Sequence, residues 1–139
     1  MKWLIIPQDI TLVDELTGEH LKNDKGEIQT HTFVEFMITT PLRDPEYFGK
    51  GLEALDARND MRDSLLKYKD QSGALRRARS GDVWGIENAS HAILLRWVEK
   101  PTSAFFPATG GQLTPYMHAI KNATDKRPDE VAAASANDS

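Results

Sequence analysis

The chain of 139 residues contains no cysteine. Disulfide staples and thiolate metal sites are therefore excluded, and the composition fits a reducing compartment. A domain of this length does not need staples, since it buries roughly two-thirds of the surface its unfolded chain exposes. Long apolar runs are also missing: no stretch approaches the ~20 residues that span a bilayer. The opening MKWLIIP places a lysine before apolar residues, as a signal peptide does. The run covers only Trp3 to Ile6 and stops at Pro7, short of the ~7–15 residues of a signal core. It reads as a first strand. An excess of positive charge is absent too, with 17 basic and 21 acidic residues and a net charge of −4. Broad binding to a phosphate backbone needs a basic face, so nucleic acid is not an expected partner.

What is present is the pattern of one α+β domain, an N-terminal β-hairpin packed on a small bundle of three to four helices. Residues 3–6 and 10–13 are short, branched or aromatic runs separated by Pro7. Residues 27–32 partly alternate. Between them, TGEHLKNDKGE holds turn glycines at Gly18 and Gly26, which predicts a hairpin, or two nested turns, with a long polar tip. A calcium loop fails on spacing. Counting back from Gly26 puts Leu21 and Lys25 at ligand positions that require oxygen donors.

Thr32 and Glu35 form a capping box before Phe33, Phe36 and Met37, which share one helical face. Pro41 keeps that helix short. Asp44 and Pro45 start another, and Gly49 and Gly51 interrupt it. Ala54, Ala57, Met61, Leu65 and Tyr68 make a buried stripe on a long amphipathic helix, widened by Leu52, Leu55 and Leu66. Its other face carries Asp56, Arg58, Asp60, Asp63, Lys67 and Asp70, read as plain solvation. The helix ends at Gly73 or runs on through ALRRARSG to Gly81. Asp82 to Ile86 reads as a strand. Ser90 is placed as the cap of HAILLRWVEK, and Thr114 as the cap of PYMHAIKNA. The compact domain is expected over residues 1–125. Residues 126–139 lack large apolar side chains except Val131 and read as a flexible tail.

Motifs that carry chemistry are scarce. His20, His31, His91 and His118 are isolated, with no HxxH, HxxxH or HExxH. His91 and His118 read as surface or boundary residues. Ser72, Ser80 and Ser103 lack the strained G-x-S-x-G context of a nucleophile. Gly110-Gly111 is not a phosphate loop. No catalytic residue, cofactor or metal is expected, and the chain reads as a non-enzyme. Two binding features remain. Arg76, Arg77 and Arg79 form a small basic cluster, which a helix C-terminus would also favour. Phe105, Phe106 and Tyr116, beside the Gly-Gly pair, can anchor a partner surface or fold back over Trp97.

Four stretches read together carry a resemblance: ITLVDELTGEHLKNDKGE, FVEF, DVWGIENASHAILLRWVEKP and LTPYMHAI. Their order resembles small virion morphogenesis proteins of tailed bacteriophages and prophages. The shared layout is a D-x-x-T-G-E hairpin, an F-x-x-F helix, a strand before a helix ending in V-E-x-P, and a short C-terminal helix. It covers about two-thirds of the chain; the Gly-Gly loop and the alanine-rich tail depart from it. The resemblance implies a non-enzymatic part in building a tail or neck. The expected partners are other phage proteins or further copies of the chain, with no membrane, in the host cytoplasm during assembly or in the virion. The competing expectations are a small regulatory or adaptor protein touching nucleic acid through Arg76, Arg77 and Arg79, and an enzyme with a composite site from His31, His91 and His118.

Overall fold

Pro7 separates the two apolar runs at the start of the chain, and the fold uses them in two different ladders. The computed structural model describes residues 1–101 and 110–128. Its strands are β1 (Lys2–Ile5), β2 (Ile10–Thr11), β3 (Thr30–His31), β4 (Tyr68–Lys69), β5 (Leu75–Arg76) and β6 (Val83–Ile86). Its helices are α1 (Phe33–Thr39), α2 (Pro45–Phe48), α3 (Leu52–Leu66), α4 (Asn88–Glu99) and α5 (Thr114–Lys121). The strands form three antiparallel pairs, β1 with β6, β2 with β3 and β4 with β5. The class is α+β, a hairpin-bearing N-terminus on a helical body.

The β1–β6 ladder crosses most of the sequence and pairs Trp3 with Gly85 and Leu4 with Trp84. A Cβ on Gly85 would lie 2.6 Å from the Trp3 ring. Only a glycine lets that indole lie flat across the strand. Arg127 stacks on Trp3 at 5.2 Å, and Thr124 exchanges backbone hydrogen bonds with Trp3. Packing thus extends two residues past the expected boundary at 125. The rest of the expected tail, from residue 129, lies outside the described residues.

Helices α1 and α2 start on side-chain caps. Thr32 Oγ1 accepts the Glu35 amide at 3.1 Å and opens α1. Asp44 does the same for α2 through the Glu46 amide at 3.0 Å. At Gly49 a Cβ would meet the Pro45 backbone at 2.7 Å, and Gly51 has φ +90°, so the chain breaks there and α3 begins afresh. Two expected caps are not used. Helix α4 starts at Asn88, before Ser90, which is buried inside it. Helix α5 grows out of a 3-10 turn at Gly110–Leu113, and the Thr114 hydroxyl donates to the Gly111 carbonyl instead.

The core is a chain of aromatic rings. Phe33 meets Trp84 edge-on at 5.8 Å and Tyr116 at 5.5 Å, while Phe36 meets Trp97 at 5.9 Å. Helix α1 supplies both phenylalanines, so one short helix ties β6, α4 and α5 together. Pairs of this kind add about 0.5–1.5 kcal/mol each beyond the area they bury. Both buried indole N–H groups in this core are paired. Trp97 Nε1 donates to Asp44 Oδ2 at 3.0 Å, and Trp84 Nε1 to Ser64 Oγ at 2.8 Å.

Candidate functional site

The polar N-terminal stretch resolves into three arms around a common centre. The arms are the β2–β3 ladder, a turn closed by Val13 opposite His20, and a turn closed by Lys22 opposite Ile28. At the centre the Leu12 amide donates to the Gln29 carbonyl, the Gln29 amide to Leu21 and the Leu21 amide to Leu12, at 2.8 to 3.0 Å. The nested turns are therefore a cloverleaf. In one turn Asp14 Oδ1 accepts the Leu16 and Thr17 amides, and in the other Asn23 Oδ1 accepts the Lys25 and Glu27 amides. These side chains shape the loop, so the calcium reading has no support in their geometry. The Gln112 side chain pairs with both backbone groups of Val13, donating at 2.6 Å and accepting at 2.9 Å. Leu16, at a turn tip, is 96% exposed.

The arginine cluster lies on β5 and the turn after it, not at a helix end. Helix α3 stops at Leu66, and Tyr68–Lys69 turns back to pair with Leu75–Arg76. Gly73, at φ +86°, makes that reversal possible. Arg76 is half-buried and fully committed. Its guanidinium forks onto Asp82 at 2.7 and 2.8 Å, its Nε lies 3.5 Å from Asp70, and it covers the Tyr68 ring at 5.2 Å. The hydrogen bond from Arg76 is the main reason the Asp82 carboxyl is held below the usual carboxylate range. Asp70 is lowered chiefly by the Ser72 hydroxyl. Arg77 and Arg79 are exposed. A cleft of about 390 Å³ lies beside the hairpin, lined by Tyr68, Asp70, Ser72, Arg76, Arg79 and Asp82. Arg127 lines it as well, so three guanidiniums face two carboxylates and its positive charge is only partly matched.

Tyr116 is not a surface anchor: it is fully buried and touches Phe33 and Phe36. Its hydroxyl donates to the His31 carbonyl and, at 3.3 Å, to that of Gln8. Burial pushes the phenol up to about 12. Phe105 and Phe106 lie outside the described residues. His91, expected near the surface, is buried with Nε2 2.8 Å from the Ile120 carbonyl. His31 Nδ1 lies 3.8 Å from a Glu35 carboxylate oxygen. Among the described residues, no group of three histidine or acidic side chains is placed to hold a metal ion. No helix among them is long and apolar enough to cross a membrane.

One surface was missed by the sequence reading. Ala57, Met61 and Leu65 of α3 are buried, but Leu52, Leu55 and Leu66 are 74%, 39% and 37% exposed. They do not widen the core stripe; they lie on the far side of the helix. The signal was in the spacing, because 52, 55 and 66 follow i, i+3, i+14 while the buried set follows i, i+4, i+8 from 57. At 3.6 residues per turn these are two separate faces. The Arg58 side chain, expected on the solvated face, instead donates to the Leu42 carbonyl at 2.7 Å. No protein-family model, curated protein or solved structure matches this chain.

Proposed function

We propose that this chain is a structural or assembly protein of a bacteriophage, working by protein–protein association in tail, neck or virion morphogenesis. The observation that carries the reading is a set of large apolar side chains standing in solvent on projecting features. Leu16 tips a cloverleaf arm at 96% exposure, Leu52 opens α3 at 74%, and Leu75 lies on the β4–β5 hairpin at 66%. Single exposed leucines are ordinary. Leucines placed on two β-arms and a helix face supply separate docking points, which suits a subunit that meets several neighbours. The bacteriophage assignment itself leans on the resemblance in layout.

The test is co-expression with the products of the neighbouring genes, followed by mass measurement of the purified complex. The expected result is a defined complex of fixed stoichiometry. A strict monomer that joins none of those products would sink the reading. A nucleic-acid adaptor draws less support, because Arg76 is already spent on Asp82 and Asp70 and leaves Arg77 and Arg79 alone. Such a binder would lose affinity steeply between low and moderate salt, and an apolar interface would not.

A further inference from the structure

Two clefts share a wall at Tyr68, Val83 and Arg127. One, of about 390 Å³, lies on the Arg76 side of that wall, and the other, of about 290 Å³, on the side of Trp3 and Gly85. Five cations line the pair: Lys67 and Lys69 in the second cleft, Arg76 and Arg79 in the first, and Arg127 in both. Two carboxylates, Asp70 and Asp82, stand among them. Both are turned onto neighbouring donors. Asp82 accepts the Arg76 fork and the Arg79 amide, the latter at 2.9 Å, and Asp70 accepts the Ser72 and Ala74 amides at 2.9 and 3.1 Å. Lys67, Lys69 and Arg79 are exposed and have no ion-pair partner among the described residues. Arg76 and Arg127 are held in place, each 5.2 Å over a ring, of Tyr68 and Trp3 respectively. These clefts carry an excess of three positive charges in a chain of net charge −4. The remaining 12 basic and 19 acidic residues therefore come to −7. A cleft lined by one sign of charge focuses its field on an incoming ligand of the other sign.

We propose that the joined clefts receive an acidic segment of a partner protein, a short run of Asp and Glu side chains. This names the chemistry of a partner for the association argued above and rests on that reading. The cations continue from one cleft into the next, which fits an extended chain carrying several charges better than a single small anion. Arg76 offsets part of the charge on Asp70 and Asp82, so Lys67, Lys69, Arg79 and Arg127 supply the contacts to the ligand. A guanidinium matches the two oxygens of a carboxylate, and Arg127 loses little freedom on binding because the Trp3 ring already holds it. A nucleic-acid strand suits the groove less. Its phosphates run on past the cations and meet a body of net charge −7, whereas a short acidic segment ends where the cations end. A contact of this kind steers encounter and orientation more than it adds affinity, and salt screens it. Dissociation in the micromolar range is therefore expected at low salt, with weaker binding as salt rises.

The test is fluorescence anisotropy of labelled hexaglutamate with the full chain at about 20 and about 200 mM salt, with amide chemical shifts locating the contact. Two charge-matched double variants separate the groove from net charge. Lys69→Glu with Arg79→Glu reverses two groove cations, and Lys25→Glu with Arg62→Glu reverses two cations elsewhere. All four positions are exposed, so no change touches the core; circular dichroism of each variant confirms the fold. Shifts should fall on the residues of the two clefts. The groove variant should bind about tenfold more weakly or worse, and the control should bind like the wild type. Equal weakening in both variants overturns the proposal, since the attraction then belongs to net charge. Shifts elsewhere, or no binding at millimolar peptide in low salt, overturn it too. A thymidine dodecamer bound more tightly than the peptide at the same residues also overturns it and assigns the groove to nucleic acid. The groove variant is then co-expressed with the products of the neighbouring genes. Loss of a complex that the wild type forms supports the proposal. A complex that persists overturns the proposal and leaves the assembly reading standing, and a wild type that forms none removes both.

Discussion

Asp44 shows how much one side chain can hold in this fold. One carboxylate oxygen caps α2 through the Glu46 amide, and the other accepts the buried Trp97 indole. Asp44→Ala loses a cap worth about 1 kcal/mol and strands a buried N–H at about 1–3 kcal/mol. Chemical denaturation should therefore register a loss of about 2–4 kcal/mol. Asp44→Asn keeps one acceptor but turns a donor toward a donor, so it should rescue only part of that loss. Tyr116 gives a pH signature. Its phenol titrates near 12 in the fold against an ordinary value near 10. The folded state therefore favours the protonated form. That contribution is complete below about pH 10 and is lost as pH climbs toward 12. Tyr116→Phe should flatten the fall in stability over that window in a pH series of thermal melts. Wild type and variant falling in parallel would contradict it. The Asp44 cap was legible in the sequence as Asp-Pro. The bond to Trp97, 53 residues away, was not, because local spacing carries no information about which indole arrives.

Among the elements, the hairpin of β4 and β5 is held by polar groups at the surface more than by a core. Arg76 bridges Asp82 and Asp70 across it. Both carboxyls are held below their ordinary range, Asp82 chiefly by Arg76 and Asp70 chiefly by Ser72. Groups lowered on folding stabilise above the ordinary carboxylate value near 4 and lose that contribution as pH falls below it. Hydrogen exchange should show the Ala74 and Ala78 amides losing protection below about pH 4 before the α4 amides do. Simultaneous loss across both segments would show that the hairpin is no separate unit. Neither end expected for the long helix, Gly73 or Gly81, holds: it stops at Leu66 and this hairpin follows, although Ala, Leu and Arg favour helix locally. The tertiary bonds of Arg76 override that preference. Helices α1 and α4 were legible by contrast, since Phe33, Phe36 and Met37, and Ile93, Leu94 and Trp97, bury one clean face each. Helix α3 was half legible: its buried face was found, and its second, outward leucine row was merged with it.

At the scale of the whole molecule, strand β1 gathers distant parts of the chain. Strand β1 is pinned by β6 on one edge and by Thr124 on the other. Gly85 is the tight point, where any side chain collides with Trp3. Gly85→Val should destabilise by about 1–3 kcal/mol through overpacking and should also expose Trp3, read as a red shift in indole fluorescence. The α+β class followed from periodicity and turn residues, whereas five helices stand among the described residues where three to four were expected and the β4–β5 pair was not foreseen. Nor did the pairing of first strand with sixth follow, because residues 2–5 and 83–86 carry apolar patterns that fit many neighbours.

The cloverleaf has a practical consequence. Its three amide-to-carbonyl links form a closed ring of main-chain bonds at Leu12, Leu21 and Gln29. Each loop hangs from that ring and makes its own turn, so a longer or foreign peptide spliced between Leu16 and Thr17 should fold out into water without loosening the body. Added loop length costs little, about 0.6 kcal/mol per doubling. The turn thus offers a place to carry an epitope or a fluorophore while the rest of the protein keeps its melting temperature.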